Sequence, residues 1–136
     1  KMKQKFSTKW ISSTQPRKQR KYRKNAPLHL KGSFLKVHLS AELRKKYGCR
    51  SVRVRKGDKV TILKGSYKKK VAKVQMVSTK RTKVYLEGLE VTRKEGSKKL
   101  VSFEPSNLMI TELHLEDKAR IAKLEKGTKT EDKKEK

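Results

Sequence analysis

Two short stretches carry most of the chemistry open to this chain's side chains. Residues 64–70 read KGSYKKK and residues 17–24 read RKQRKYRK, so each sets ammonium or guanidinium groups around a single tyrosine. Such groups neutralise phosphate oxygens: arginine bridges them bidentately and stacks on bases, lysine acts as a mobile point charge, and a ring among them offers a face to an unstacked base. A charge run alone is ordinarily a solvated face, and the charge balance of the whole chain argues against that default. Forty Lys and Arg against thirteen Asp and Glu give +27 over 136 residues, far past what solubility needs and costly in self-repulsion for a lone compact protein. The first acid is Glu42. Residues 1–50 hold sixteen basic residues against that one acid, residues 51–110 sixteen against five, and residues 111–136 eight against seven. A polyanionic partner is implied, met mainly by the N-terminal side.

Other chemistries lack their residues. His29, His38 and His114 are scattered, with no neighbouring cysteine and no HxxxH spacing, so no metal site is expected and hydrogen bonding or phosphate contact is their default. Cys49 is the single cysteine and has no CxxC partner, which favours a partly buried thiol over a ligand or nucleophile. Asp58 follows Gly57 in a turn, where its carboxylate caps nearby backbone N–H groups. Ser40 and Ser106 have helix-capping roles, and Gly65 is not followed by the GK[ST] ending of a phosphate-binding P-loop. No catalytic constellation, cofactor or small-molecule substrate is expected. No apolar run approaches a membrane span and the N-terminal residues lack the apolar core of a signal peptide, which reads as a soluble, intracellular chain.

The elements that position the basic stretches follow from apolar spacing. With 32% hydrophobic and 39% charged residues, the whole chain cannot pack, so a compact middle with extended arms is expected. Residues 1–24 show no sustained apolar period and read as an extended basic arm, disordered alone, in which Trp10, Ile11 and Tyr22 are candidate anchors. After the Asn25-Ala26-Pro27 break, Leu28, Leu30, Phe34, Leu35 and Val37 can cover one side of a core. Ser40 caps a short helix over AELRKKY that Gly48 closes, with Leu43 and Tyr47 inward. Alternation predicts strands at 52–54, 60–62, 71–77, 83–86, 89–92, 100–103 and 109–113, with turns at 57–58, 78–81, 87–88 and 94–97 and one helical turn at 106–108. Many short strands with little helix predict a small, strongly bent barrel whose closure hides its edges. A second helix is expected near 116–126, and GTKTEDKKEK at the end reads as disordered. The organisation expected is an arm with a short helix over 1–48, a barrel over 49–113, and a short helix with a tail over 114–136.

Residues 54–74 resemble the KOW motif of ribosomal proteins and transcription elongation factors. The flanking blocks QPRKQRKYRKNAPLHL, LSAELRKKYGCRSVRVRKGDKV and EPSNLMITELHLEDKAR are together similar to the archaeal and eukaryotic branch of one family of large-subunit ribosomal proteins, numbered twenty-four universally and twenty-six in eukaryotes. The resemblance covers roughly residues 15–120, and the NAPLHL block with the short tail leans archaeal. It implies a mostly β fold, an SH3-like (KOW) barrel with a basic extended N-terminal arm and short flanking helices. It also implies a structural, non-enzymatic role on the cytoplasmic ribosome. The implied partners are large-subunit rRNA and neighbouring ribosomal proteins, with support of subunit assembly and a place near the nascent-chain exit tunnel, within reach of nascent chains and targeting factors. The implied RNA contacts are Arg17, Lys18, Arg20, Lys21, Arg23, Lys24, His29 and Lys31 of the arm, with Lys64, Ser66, Tyr67, Lys68, Lys69 and Lys70 of the loop.

The chain departs from the family pattern at three positions. Lys69 and Ala72 stand where members usually carry glycine, and Glu104 stands where they carry histidine before Pro-Ser. Ala72 lies inside an alternating strand, so a negative φ is expected there. The alternative to a ribosomal role is a KOW-domain transcription elongation factor or RNA chaperone, a class that normally appends this domain to another folded one. A basic DNA-coating protein would explain the charge but not the three matching blocks.

Overall fold

The structure, a computed structural model, describes residues 4–131, with side chains placed through residue 125. Its centre is one curled sheet of seven strands: β1 (Lys36–Leu39), β2 (Ser51–Arg53), β3 (Lys59–Ile62), β4 (Val71–Ser78), β5 (Lys83–Thr92), β6 (Lys98–Phe103) and β7 (Leu108–Glu112). The order is β2-β1-β7-β3-β4-β5-β6, with β1 parallel to β7 and every other pair antiparallel. Inward positions alternate along the strands, so Val37 and Leu39, Val60 and Ile62, and Leu108 and Ile110 meet with Leu86 and Val74 in a sealed apolar centre. The mostly β, barrel-like fold is as expected.

Closure is not. β2 and β6 end the sheet without pairing to each other. Each edge is blunted another way: β2 is only three residues long, and β6 carries Lys98 and Lys99. Three register shifts, at Lys59/Val60, Val74/Met76 and Tyr85/Glu90, supply the bending. The last corrects the turn expected at 87–88. Residues 83–92 form one strand, because β6 pairs with both of its halves, and Gly88 at φ +71° sits in a bulge.

Further differences lie at the flanks. The sheet begins at Lys36, ahead of the barrel start expected at 49, because β1 docks in parallel on β7 while β2 returns beside it. The arm is helical where an extended chain was expected: α1 covers Pro16–Asn25 and α2 Leu28–Lys31, and one turn of 3-10 helix covers Thr8–Ser12. Proline at the first position of α1 has its φ preset for a helix, and of the three candidate anchors Tyr22 is buried whereas Ile11 is exposed. α3 (Ala41–Tyr47) is as expected: the Ser40 hydroxyl accepts from the Leu43 N–H at 3.4 Å, and Gly48 closes the helix at φ +59°. The expected helical turn is 3-10 at Pro105–Asn107.

α4 covers Lys118–Glu131, continuing past residue 126 into the segment read as tail, since lengthening a started helix costs far less than nucleating one. The remainder of that expectation, residues 132–136, and the first three residues of the arm lie outside the described residues.

One buried ion pair ties α4 to the sheet. Asp58 is wholly buried, and Arg120 is 4% exposed. The guanidinium of Arg120 donates to both Asp58 carboxylate oxygens at 2.6 and 2.7 Å and to the carbonyls of His114 and Arg53. Asp58 also accepts from the backbone N–H of Arg55 at 2.8 Å and of His114 at 2.9 Å. The capping role expected of Asp58 is there, as part of a larger knot. Gly57 makes room for it: at φ +90°, a Cβ would come within 2.8 Å of the His114 ring.

Candidate nucleic-acid interface

α1 gathers four of the six cations of the basic run onto one side. At about 100° per residue, Arg17, Arg20, Lys21 and Lys24 fall within an arc of about 100°, while Gln19 and Tyr22 point the opposite way. The inward side is held by rings and carbonyls. Tyr22 stacks on Phe6 at a centroid distance of 5.3 Å and meets Phe34 edge-on at 5.9 Å. The Gln19 amide nitrogen donates to the carbonyls of Ile11 at 3.0 Å and Trp10 at 3.2 Å, and the Asn25 amide to that of Lys5 at 2.7 Å.

Some cations help in this packing. Lys21 lies 4.7 Å over the Trp10 ring and donates to the Gln4 carbonyl at 3.1 Å, and Arg23 lies 5.8 Å over Phe34. Arg17, Lys18, Arg20 and Lys24 are exposed and form no ion pair among the described residues. Arg23 and Lys24 also sit in the last turn of α1, where the helix dipole favours positive charge. Beyond Pro27, His29 is exposed on α2 and Lys31 is half-buried.

The second group sits on the connection from β3 to β4. Two tight turns build it: Lys68 N–H donates to the Gly65 carbonyl and Lys70 N–H to that of Tyr67, both at 3.1 Å. Lys69 N–H closes back on the Ile62 carbonyl at 2.8 Å, and Leu63 N–H ties the base of the loop to Asn107 at 2.8 Å. Lys64, Ser66, Lys68, Lys69 and Lys70 are exposed, and none of these lysines is ion-paired among the described residues. Tyr67 differs from the others. Its ring is half-buried, packs edge-on against Phe103 at 5.9 Å, and carries Lys70 at 5.3 Å, so it anchors the loop.

The two glycine departures resolve differently. Lys69 keeps the glycine-like backbone at φ +68°, a conformation that strains a residue with a side chain. Ala72 pairs with Val60 in the β3–β4 ladder and is not among the positive-φ residues, as the alternating pattern predicted. Glu104, in place of the usual histidine, ion-pairs with Lys83 on the neighbouring strand.

The structure thus brings four of the arm cations, Arg17, Arg20, Lys21 and Lys24, together on one face of α1, leaves Lys18 and Arg23 on its flanks and His29 and Lys31 on α2, and brings the loop cations together on one turn. No hydrogen bond, ion pair or ring contact joins the two groups among the described residues. A hydrogen-bonded helix and turn behind exposed, unpaired cations can present them to phosphates in a defined arrangement, where sequence spacing alone had implied a mobile polycation. The Asp58–Arg120 pair was not foreseen from sequence, since its partners lie 62 residues apart and no local pattern connects them.

Comparison with known proteins places these features in a family. Residues 13–127 match the family of ribosomal proteins numbered L26 in eukaryotes and twenty-four in archaea. The chain is 48% identical over 115 residues to the "Large ribosomal subunit protein uL24" of Methanocorpusculum labreanum, covering 85% of this chain and 95% of the relative. It is 46% identical to the protein of the same name from Methanocella arvoryzae over 85% and 94% of the two chains. The like-named protein of Korarchaeum cryptofilum is 40% identical over 90% and 94%.

Proposed function

The chain belongs to this family of eukaryotic L26 and archaeal twenty-four ribosomal proteins, and on that premise we propose that it is a structural constituent of the large ribosomal subunit that binds large-subunit rRNA through the outer face of α1 and the β3–β4 loop. Its family is one of structural ribosomal proteins, not of enzymes. The observation that carries the RNA reading is the segregation on α1, where four cations share one side and the aromatic anchor takes the other. A solvated tail has no reason to sort its charges in this way.

In this reading the curled sheet docks by shape while the two cationic groups neutralise phosphates that otherwise repel one another. Counterion release supplies much of the binding free energy. Support of early subunit assembly, a place near the mouth of the exit tunnel, and access there to nascent chains and targeting factors are the further roles that the family resemblance suggests. The neighbouring partners are other large-subunit proteins.

The test is a filter-binding titration with large-subunit rRNA across salt. With about six phosphates neutralised, affinity falls about a thousandfold between 50 and 200 mM salt. Replacing Arg17, Arg20 and Lys24 with alanine reduces both the affinity and the salt slope. A flat salt response, or a triple variant that binds like the parent, overturns the proposal. Sedimentation of the tagged protein away from large subunits on a sucrose gradient would overturn its ribosomal part.

A further inference from the structure

A third basic region is lined by none of the residues of the two groups described above. Between the outer edge of β2 and the first turns of α4 is a recess of about 350 Å³ whose walls include Lys36, Cys49, Ser51, Arg53, Arg120 and Lys123. Its lining contains no acidic residue. Two of its arginines are ion-paired with acids outside the lining, Arg120 with Asp58 and Arg55 with Asp117. Lys36 and Lys123 are exposed and take part in no ion pair among the described residues.

The backbone adds donors to this charge. β2 ends the sheet and pairs only with β1. Leu39 N–H donates to the Arg50 carbonyl and Val54 N–H to the Leu35 carbonyl, so even-numbered residues of this segment face β1. By the alternation of an antiparallel ladder, the N–H groups of Ser51 and Arg53 face away from the sheet, on the side of α4. The Arg53 carbonyl does face that way, for it accepts from Arg120 at 3.3 Å. Behind the wall, Arg120 holds a buried Nε–H with no hydrogen-bond partner, an uncommon deficit for a buried donor. Positive charge without a counter-charge, two outward backbone N–H groups and a hydroxyl are the complement of a tetrahedral oxyanion.

We propose that this recess is a phosphate-binding site, taking one phosphate group between Lys36, Lys123 and the outer edge of β2. The inference rests on the chemistry of the recess and stands whether the phosphate is free or part of an RNA backbone.

The chain carries its own reporter, because its single cysteine, Cys49, lines the recess. The experiment follows alkylation of Cys49 in the full chain by iodoacetamide, an uncharged reagent, in inorganic phosphate and in chloride of equal ionic strength. Phosphate slows the reaction severalfold, and the Lys36→Ala/Lys123→Ala variant abolishes that protection while its circular dichroism stays that of the parent. The backbone amide signals of Ser51 and Arg53 shift with phosphate and not with chloride. Equal rates in the two salts, or full protection in the double variant, overturn the proposal.

A second arm replaces phosphate with a fragment of large-subunit rRNA. Protection by both marks the site as one for a backbone phosphate, and protection by inorganic phosphate alone marks it as a free-anion site. The Arg17→Ala/Arg20→Ala/Lys24→Ala variant separates the two proposals: it loses RNA affinity if α1 is an RNA contact, yet keeps phosphate protection at Cys49.

Discussion

Tyr22 and Ala26 are the buried side chains of residues 4–31, whereas the sheet seals Leu39, Ile62, Leu86, Leu108 and Ile110 completely. Each sealed aliphatic side chain is worth about 1.5–3 kcal/mol of transfer free energy, so the sheet holds its shape whatever happens at its surface. The N-terminal segment has no such reserve. It relies on four rings, Phe6, Trp10, Tyr22 and Phe34, and on side chains of Gln19, Lys21 and Asn25 that satisfy backbone carbonyls. The difference teaches how a segment with so little apolar content still presents a defined face. One buried tyrosine sorts the charges of α1, and the cations left outside keep their capacity for phosphate.

The comparison breaks if the two regions unfold as one, and the largest expected effect tests this. Asp58→Ala leaves the Arg120 guanidinium buried without its counter-charge and destabilises the sheet by about 3–5 kcal/mol, read as a lower urea midpoint. Tyr22→Ala, by contrast, removes helical signal in circular dichroism and leaves that midpoint where it was. A fall in the midpoint equal to that of Asp58→Ala would make the arm part of the core. The same tyrosine variant weakens rRNA binding by about 1–3 kcal/mol, the worth of its two ring contacts, because α1 must then be ordered by the RNA.

Smaller effects sharpen the contrast between strained and relaxed backbone within the sheet region. Lys69→Gly relieves the left-handed backbone at φ +68° and stabilises by about 1 kcal/mol. Ala72→Gly, in the β4 ladder, destabilises by about 0.5–1 kcal/mol through added freedom of the unfolded chain. Opposite shifts of the denaturation midpoint are expected from these two glycine substitutions, and shifts of the same sign would contradict the backbone assigned to one of them.

The smallest effect is one of pH. Burial, then the charges of Arg44 and Arg50, hold His38 below its ordinary pKa of 6.5. The unfolded chain therefore binds a proton that the folded chain resists, so the contribution of His38 is fully present above about pH 6.5 and is lost as pH falls toward its folded value. His38→Asn flattens the stability profile over that acid window, and an unchanged profile would remove His38 as its source.

Legibility from residues followed the range of the forces involved. Ser40 and Gly48 bound α3 through local capping, and Val60, Ile62, Val74 and Ile110 showed their inward faces through a two-residue period. The candidate site was half legible. Composition and spacing named the cations of both groups, yet Tyr67 read as a free ring and is a packed one. Nothing in the run RKQRKYRK distinguishes an extended polycation from a helix, because Lys, Arg and Gln are good helix formers without an apolar stripe to declare it.

What the sequence by itself determined was therefore the excess of positive charge, the mostly β character, the caps of α3 and the family blocks, all set by composition or by neighbours within a few positions. Only the tertiary structure decided that β1 lies between β2 and β7, that Gly88 bends a strand where a turn was expected, that α1 sorts its charges, and that Asp58 meets Arg120 across 62 residues. The physical reason is that burial and pairing are settled by whichever distant surface seals each residue. A wholly buried carboxylate is tolerable only where the rest of the fold delivers its guanidinium and backbone donors to the same point.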